Sequence, residues 1–566
     1  MVYMKKIIGI RILFILSIII LLASCNLRSN KNSSLTGWSE KDMYAAGFSK
    51  NGEYKAEKAP PGMVLIEGGS FTMGHVQDDV MFDWNTTPNK IQIRSFYLDE
   101  TEVTNAEYLF YLDWVERVFP PSEENYKHIY KAALPDTLVW RNTLGANELL
   151  TENYLRHPAY ADYPVVGVSW IQANQYCKWR TDIVNEKILI EKGVLKNLYR
   201  DPDKQVVGKN RFDADTYAQS PSLLYEGDES IYRKGLREVK PRVKGEARPE
   251  KGSFTGRHVK VSDGIMLPDF RLPTEAEWEY ASKAEIEGRE YNNIRGRKKY
   301  AWEGKYTRNK ERKFQGDQLA NFKQGKGDYS GIAGWSNDGA DISIKVKSYP
   351  PNAFGLYDMS GNVAEWVQDV YRPIIDNEAN DFNYFRGNIF NKRLINEEGK
   401  VVVVDYNNMQ YDTLETGKII PKELPGSIRY VPITNDDAFM RNNYEKAYNI
   451  NAKDGDFAST KFFNKDADQA NSNLARMYNS PILPKEVGES GALIKEYDKE
   501  IRNTLISDQA RVFKGGSWND REYWLDPAQR RFLPEYMSAS FIGFRCAMDK
   551  LGPMTHKRKK PYNINL

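Results

Sequence analysis

Gly355-Leu356-Tyr357-Asp358-Met359-Ser360-Gly361-Asn362-Val363-Ala364-Glu365-Trp366 is the stretch on which the fold of this chain turns. Gly361-Asn362 reads as a tight turn, since both residue types enter the left-handed backbone region at low cost. Glu365 then reads as a cap and Trp366 as core. Six more blocks stand out around it: Gly68-Gly69-Ser70-Phe71-Thr72-Met73-Gly74, Asp99-Glu100-Thr101-Glu102-Val103-Thr104-Asn105, Pro164-Val165-Val166-Gly167-Val168-Ser169-Trp170, Arg271-Leu272-Pro273-Thr274-Glu275-Ala276-Glu277-Trp278-Glu279, Gly515-Gly516-Ser517-Trp518 and Gly543-Phe544-Arg545-Cys546-Ala547. Three of them run into a helix-start device. Thr104 to Glu107, Ser169 to Gln172 and Thr274 to Glu277 each fit a capping box, in which a hydroxyl and a Glu or Gln three residues on satisfy orphan backbone N–H groups. Behind the first box, Tyr108, Tyr111, Leu112, Val115 and Phe119 fall on one helical face, the pattern of core. Glu275, Glu277 and Glu279 favour the positive end of their helix. Met63-Val64-Leu65-Ile66 and Ser70-Phe71-Thr72-Met73 read as two short strands around a glycine turn, and Ile91-Gln92-Ile93-Arg94 alternates in the same way.

The chain has 566 residues, 41% hydrophobic, 28% charged and 13% aromatic, with 3 cysteines. That composition excludes disorder, collagen, coiled coil and a disulfide-stapled miniprotein. The first 24 residues hold Lys5, Lys6 and Arg11 and no acid, so the rest of the chain is formally neutral and offers no electrostatic case for nucleic acid. A basic start, an apolar run from Ile12 to Leu22 and Leu22-Ala23-Ser24-Cys25 read as a signal segment rather than a span, which needs roughly 20 apolar residues. The ending resembles the lipobox of bacterial lipoproteins. It implies cleavage of residues 1–24, acylation of Cys25, and 25–61 as a polar tether. Cys177 and Cys546 remain, too few for a disulfide framework. Phosphate-binding, dinucleotide, zinc-helix, nucleophile-elbow and EF-hand signatures are missing, and the 5 histidines are scattered. Residues 181–266 and 372–510 read as insertions, partly ordered at best. The first contains a basic stretch, Arg233 to Lys260, with ten Lys/Arg against three Glu.

In this order, the seven blocks resemble the sulfatase-modifying-factor domain, the family of the formylglycine-generating enzyme. The resemblance implies an α+β fold of the C-type-lectin-like kind with little regular secondary structure. It would cover 62–549, interrupted by the insertions 181–266 and 372–510 and followed by a basic tail, 550–566. Catalytic members hold copper with two cysteines placed three and eight residues after the serine of the Gly-Gly-Ser block, because soft sulfur stabilises Cu(I). Counted from Ser517, those positions are Asp520 and Leu525, which cannot do that chemistry. Neither copper nor iron is therefore expected. The resemblance places Cys177 and Cys546 at structural positions, and Ser282 where some relatives supply a disulfide partner for Cys546. It also implies calcium: one site from the side chains of Asn321 and Asp338 with the Phe322 and Ala340 carbonyls, and a second from Asp358 and Glu365 with the Gly361 and Val363 carbonyls.

Further runs, such as Gln77-Asp78-Asp79-Val80-Met81, Leu155-Arg156-His157-Pro158-Ala159-Tyr160 and Asn380-Asp381-Phe382-Asn383-Tyr384, resemble the gliding-motility lipoproteins of the type IX secretion apparatus. That likeness implies a lipid-anchored outer-membrane protein facing the periplasm. Its partners would be other gliding and secretion lipoproteins and ring components. With 12 Trp, 35 Tyr and no redox pair, the chain is expected to act as a non-catalytic scaffold, since aromatics are favoured interface anchors. The alternatives are an envelope oxidase or hydrolase using Asp520 and Asp526 as carboxylates, and a calcium-dependent lectin-like glycan-binding module.

Overall fold

The computed structural model describes residues 57–74, 86, 88–143, 145, 147–200, 206–233, 258–285, 298–324, 339–371, 391–432, 482–487, 493–497 and 509–552. The signal segment, Cys25, most of the tether, most of the basic stretch and most of the C-terminal tail lie outside the described residues. So do the runs 77–81 and 380–384.

All three capping boxes form. Thr104 starts α1 (Asn105–Val118), and its backbone N–H donates to Glu107 Oε2 at 2.9 Å while its own hydroxyl accepts from Glu107 N. Two short helices follow, α2 (Lys127–Ala133) and α3 (Glu148–Asn153). Ser169 with Gln172 starts α4 (Trp170–Glu191), the longest helix among the described residues; after α5 (Ala214–Gln219), Thr274 with Glu277 starts α6 (Glu275–Lys283). Each such cap contributes about 1 kcal/mol. The aromatic stripe of α1 is buried as its periodicity predicts. Tyr108 stacks on Tyr176 of α4 at 5.7 Å and donates its hydroxyl to Ala133 O at 2.8 Å, so three helices share one core.

The strands are short, as a fold with little regular secondary structure requires. One sheet runs β1 (Met63–Ile66), β4 (Phe96–Asp99), β16 (Ala547–Asp549) and β5 (Phe270–Arg271), all neighbours antiparallel. A second runs β14 (Arg531–Pro534), β13 (Ala510–Lys514), β6 (Ala364–Val370) and β15 (Ile542–Gly543), with β15 parallel to β6. Beside them β2 (Gly69–Met73) pairs with β3 (Asn89–Ile93). The two strands flanking Glu67-Gly68-Gly69 thus enter different sheets. A Cβ on Gly68 would lie 2.5 Å from Ile93 O, so only glycine lets the chain cross there.

Position 181, the expected edge of the first insertion, lies inside α4, whose buried residues continue through Thr181, Asp182, Asn185, Glu186 and Leu189. Within 181–266, Phe212, Tyr217, Leu224, Tyr225, Ile231 and Tyr232 join the main core cluster, in a region expected to be partly ordered at best. The sequence hides this because these aromatics are separated by polar turns and show no helical or strand period. In the second insertion, β7 (Asn391–Arg393) pairs with β10 (Tyr430–Pro432), β8 (Tyr411–Thr413) with β9 (Ile419–Pro421), and β11 (Ile482–Val487) with β12 (Leu493–Tyr497). Val404, from the apolar run 401–404, is fully buried, and its backbone bonds Gly426 and Ser427.

Candidate functional site

Glu365 lies in β6, so it is not the cap its position suggested. The pleat points it inward, where Arg545 donates Nε to Oε2 at 2.7 Å and Nη2 to Oε1 at 2.6 Å, and Trp278 Nε1 donates to Oε2 at 2.8 Å. Trp366 on the opposite face is fully buried and donates to Val168 O at 2.9 Å. The preceding turn uses the left-handed region three times, at Asp358 (φ 56), Gly361 (φ 91) and Asn362 (φ 62). At Gly361 a Cβ would meet Asn321 O at 2.6 Å, and Asn362 N donates to that same oxygen at 2.8 Å.

This turn gathers more acid than the quoted block reveals. Glu102, fully buried, accepts from Asn362 Nδ2 at 3.0 Å and Val363 N at 3.3 Å. Burial, reinforced by Asp358 and Glu365, pushes its carboxyl well above the ordinary range. Burial likewise raises Asp358 to about 6. Asp358 Oδ2 accepts from Lys347 N at 3.0 Å, whereas its buried Oδ1 has no hydrogen-bond partner among the described residues. Three carboxylates therefore share one guanidinium, and an oxygen-donor cation would suit the orphaned Oδ1. Glu365 is engaged by Arg545, but a carboxylate oxygen has lone pairs for both an N–H and a cation. Calcium at the second expected set would draw on Asp358 Oδ1, with Glu102 beside it as an acid that sequence reasoning missed; among the described residues no group of three His, Cys, Asp or Glu is placed to hold a metal ion. Glu102 stood in the block Asp99 to Asn105, but nothing local separated it from its surface-like neighbours. Of the first set, Asp338 lies outside the described residues, and Asn321 Nδ2 donates to Ile342 O at 2.8 Å.

Asp520 and Leu525, where the resemblance would place the copper-binding cysteines, are tied into the surrounding structure. Asp520 is clamped by Arg531, whose Nη1 and Nη2 reach its two oxygens at 2.6 and 2.7 Å, and Ser517 Oγ donates to Oδ2 at 2.5 Å. The guanidinium of Arg531 stacks over Phe513 and Trp524, each 4.7 Å from the ring centre. Leu525 is fully buried against Tyr300, Ala320 and Phe322. Asp526 accepts from Ala528 N at 2.8 Å, as in a local turn. Neither carboxylate is paired with a histidine or cysteine in these contacts.

A second buried cluster joins α4 and the segments 206–233 and 391–432. Arg211 donates to Asp182 of α4 at 2.9 Å, to Asp213 at 3.3 Å, to Ser427 Oγ at 2.7 Å and to Pro425 O at 3.1 Å. Asp213 caps α5, and Thr216 Oγ1 donates to Gly426 O at 2.9 Å. One guanidinium thus faces two carboxylates. Burial, then repulsion from Asp213, raises Asp182 to about 8; Asp213 resists burial and stays below its usual range through Lys178, Arg211 and the Thr216 hydrogen bonds. Burial also raises Glu186 to about 7, though the hydroxyls of Tyr199 and Tyr225 donate to it. A carboxyl raised in the folded state binds its proton more tightly there. Its stabilisation is complete near the unfolded value of about 4 and is lost as pH climbs through the folded value. Thermal stability is expected to fall between pH 5 and 8, and Asp182→Asn should flatten that slope. A slope unchanged by the substitution would show that Asp182 titrates in the ordinary range.

A cleft of about 380 Å³ lies between the β4–α1 turn and α4, lined among others by Asp99, Glu102, Tyr176, Trp179, Arg180 and Lys347. Its acids Asp99 and Glu100 are paired with Arg180 and Lys347. Among the described residues no helix is long and apolar enough to cross a membrane.

The family described as the sulfatase-modifying factor enzyme 1-like domain matches residues 49–410. The formylglycine-generating enzyme of Streptomyces coelicolor is 24% identical over 341 residues, covering 58% of this chain and 75% of that protein. The Mus musculus formylglycine-generating enzyme is 24% identical over 328 residues, or 54% of this chain and 58% of the relative. The inactive C-alpha-formylglycine-generating enzyme 2 of Mus musculus is 34% identical over 107 residues, 18% of this chain and 27% of its own length.

Proposed function

The chain belongs to the family of sulfatase-modifying factor enzyme 1-like domains, and from that premise we propose that it is a non-catalytic member, an assembly scaffold of the gliding and type IX secretion apparatus. The observation that carries the non-catalytic half is the clamp on Asp520. A copper site needs two thiolates facing a substrate cleft; these positions hold a carboxylate saturated by Arg531 and a leucine sealed in a core. A similar stretch in a relative named inactive supports the same reading. The secretion half rests on the sequence likeness, together with the lipobox-like Leu22-Ala23-Ser24-Cys25, which would place the body on the periplasmic side of the outer membrane through an acylated Cys25. Segments 206–233 and 391–432, held together by Arg211, provide a surface for lipoprotein and ring partners.

Mild cross-linking in intact cells, followed by mass spectrometry of the purified protein, tests the scaffold. Cross-links from these segments to secretion-ring or gliding components are expected. A clean monomer without them would sink the reading. Asp520→Asn separates it from the enzyme alternative: with Asp520 and Arg531 only 12% and 16% exposed, the substitution should cost ~1–3 kcal/mol and leave gliding and secretion intact in cells that accumulate the protein. Loss of function at normal protein levels would restore a catalytic reading.

Calcium, as a structural ion, would be held by Asp358 and Glu365 with the Gly361 and Val363 carbonyls, and would neutralise the excess acid around Arg545. Saturating calcium at 100 times its Kd should add about 2.7 kcal/mol and raise the melting midpoint, and Asp358→Asn should abolish the gain. An identical midpoint in chelator and in calcium would remove the ion from the proposal.

A further inference from the structure

Residues 298–323 carry eight Lys or Arg against three acids, in a chain that is formally neutral past its signal segment. Lys298 takes Glu303 at 2.6 Å, and Lys299 pairs with Glu522 at 3.2 Å. Beyond them the chain folds back on itself. Leu319 N donates to Thr307 O and Asn309 N to Asp317 O, both at 2.8 Å, and Arg308 bridges Gln318 in antiparallel register. Across the tip, Phe314 N donates to Glu311 O at 2.9 Å and Asp317 N to Phe314 O at 3.1 Å. The base is packed: Tyr300 stacks on Trp302 at 4.8 Å and joins Ala320, Phe322 and Leu525 in a buried cluster, while Trp302 Nε1 donates to Tyr306 O at 2.9 Å. The hairpin is therefore held firmly at its foot, yet all of 310–315 is exposed. Among the described residues Lys305, Lys310, Arg312 and Lys313 form no ion pair. Beside these cations stand two exposed rings, Tyr306 at 69% and Phe314 at 43%, with Lys313 Nζ over the Phe314 ring at 5.1 Å.

We propose that this hairpin is a membrane-contact site, whose tip lies on an anionic bilayer surface. Cations near such a surface attract its headgroups one by one, and aromatic rings settle at the headgroup level, so a small tip carrying both is matched to a bilayer. An acidic protein partner would answer the charges, but a stable protein interface buries roughly 800 Å² on each side, more than a six-residue tip presents. A purely solvated face would have no use for Phe314, which leaves apolar area in water. The foot of the hairpin fixes the tip before it meets the membrane, so little ordering is lost on contact. The inference goes beyond the scaffold reading. An acyl group at Cys25 would keep the body near a membrane at the end of its tether, whereas the hairpin would decide which face of the body turns toward the lipid. Binding by a chain without the acyl group reads the hairpin alone, so the two proposals fail separately.

The test uses the chain from residue 25 onward with Cys25→Ser, co-sedimented with vesicles of mixed phosphatidylglycerol and phosphatidylcholine and, in parallel, of phosphatidylcholine alone. Retention on the anionic vesicles is expected, falling steeply as salt is raised. The combined substitution Lys310→Gln, Arg312→Gln, Lys313→Gln should weaken it about 100-fold, and Phe314→Ser on the order of tenfold. Both variants should keep the parent's melting midpoint, because the replaced side chains are exposed. A triple variant retained as well as the parent would move the binding to another basic segment, such as Arg233 to Lys260, and overturn the proposal. A parent that stays in the supernatant with anionic vesicles would also overturn it, and so would capture by soluble polyglutamate with no capture by vesicles, the mark of an acidic polypeptide partner.

Discussion

Arg545→Met is expected to cost ~3–5 kcal/mol or more, because it strands a fully buried Glu365 between Glu102 and Asp358 with no cation to face it. Against a total stability of about 5–15 kcal/mol, that is enough to leave much of the protein unfolded at 37 °C. The loss reaches beyond one ion pair, since Arg545 also donates to Asp99 O at 3.1 Å and Tyr357 O at 2.9 Å, tying β4 and the Asp358 turn to the C-terminal strands. The double variant Arg545→Met, Glu365→Gln should recover part of the stability, because the penalty comes from an unpaired buried charge more than from lost attraction. Urea denaturation of both variants decides the matter. A single substitution costing under about 1 kcal/mol would overturn the prediction that Glu365 depends on Arg545 for its compensation.

The second large effect is local. Arg211→Met should release the 391–432 segment from α4 and α5 at a cost of ~3–5 kcal/mol, since Asp182 and Asp213 would lose the guanidinium that both ion-pair with. Hydrogen exchange reads the difference between local opening and global unfolding. Amides of 206–233 and 391–432 are expected to lose protection while β6 and β13 keep theirs. Uniform loss throughout would show that the insertions and the core unfold as one unit. Uniform retention would show that Arg211 is dispensable for their contact. In the scaffold reading the same variant should weaken partner cross-links without touching the Asp520 clamp.

Much of the candidate site was legible in the linear order of residues, and the part that was not shares one property. Glu102 could be quoted from its block but not singled out, because its burial comes from Asn362 and Val363, some 260 positions later. Glu365 was read as a cap because its position after a glycine turn suggests one, whereas the β6–β13 pairing turns it toward Arg545. The aromatics of 206–233 follow no period that would mark them as core, yet they share one buried cluster with residues of α4.

What the sequence alone determined are features made by neighbours within a few residues. The three capping boxes, the buried stripe of α1 and the glycine turn at Gly361-Asn362 are of this kind, since their hydrogen bonds and side-chain chemistry are set locally. Tertiary structure alone decided the rest: that one guanidinium faces Glu365 beside Glu102 and Asp358, that Arg211 ties 391–432 to α4 and α5, and that two cysteines 369 residues apart meet. Such contacts are selected by packing and desolvation, which depend on which elements come to share a buried volume, and no local pattern of residue types encodes that.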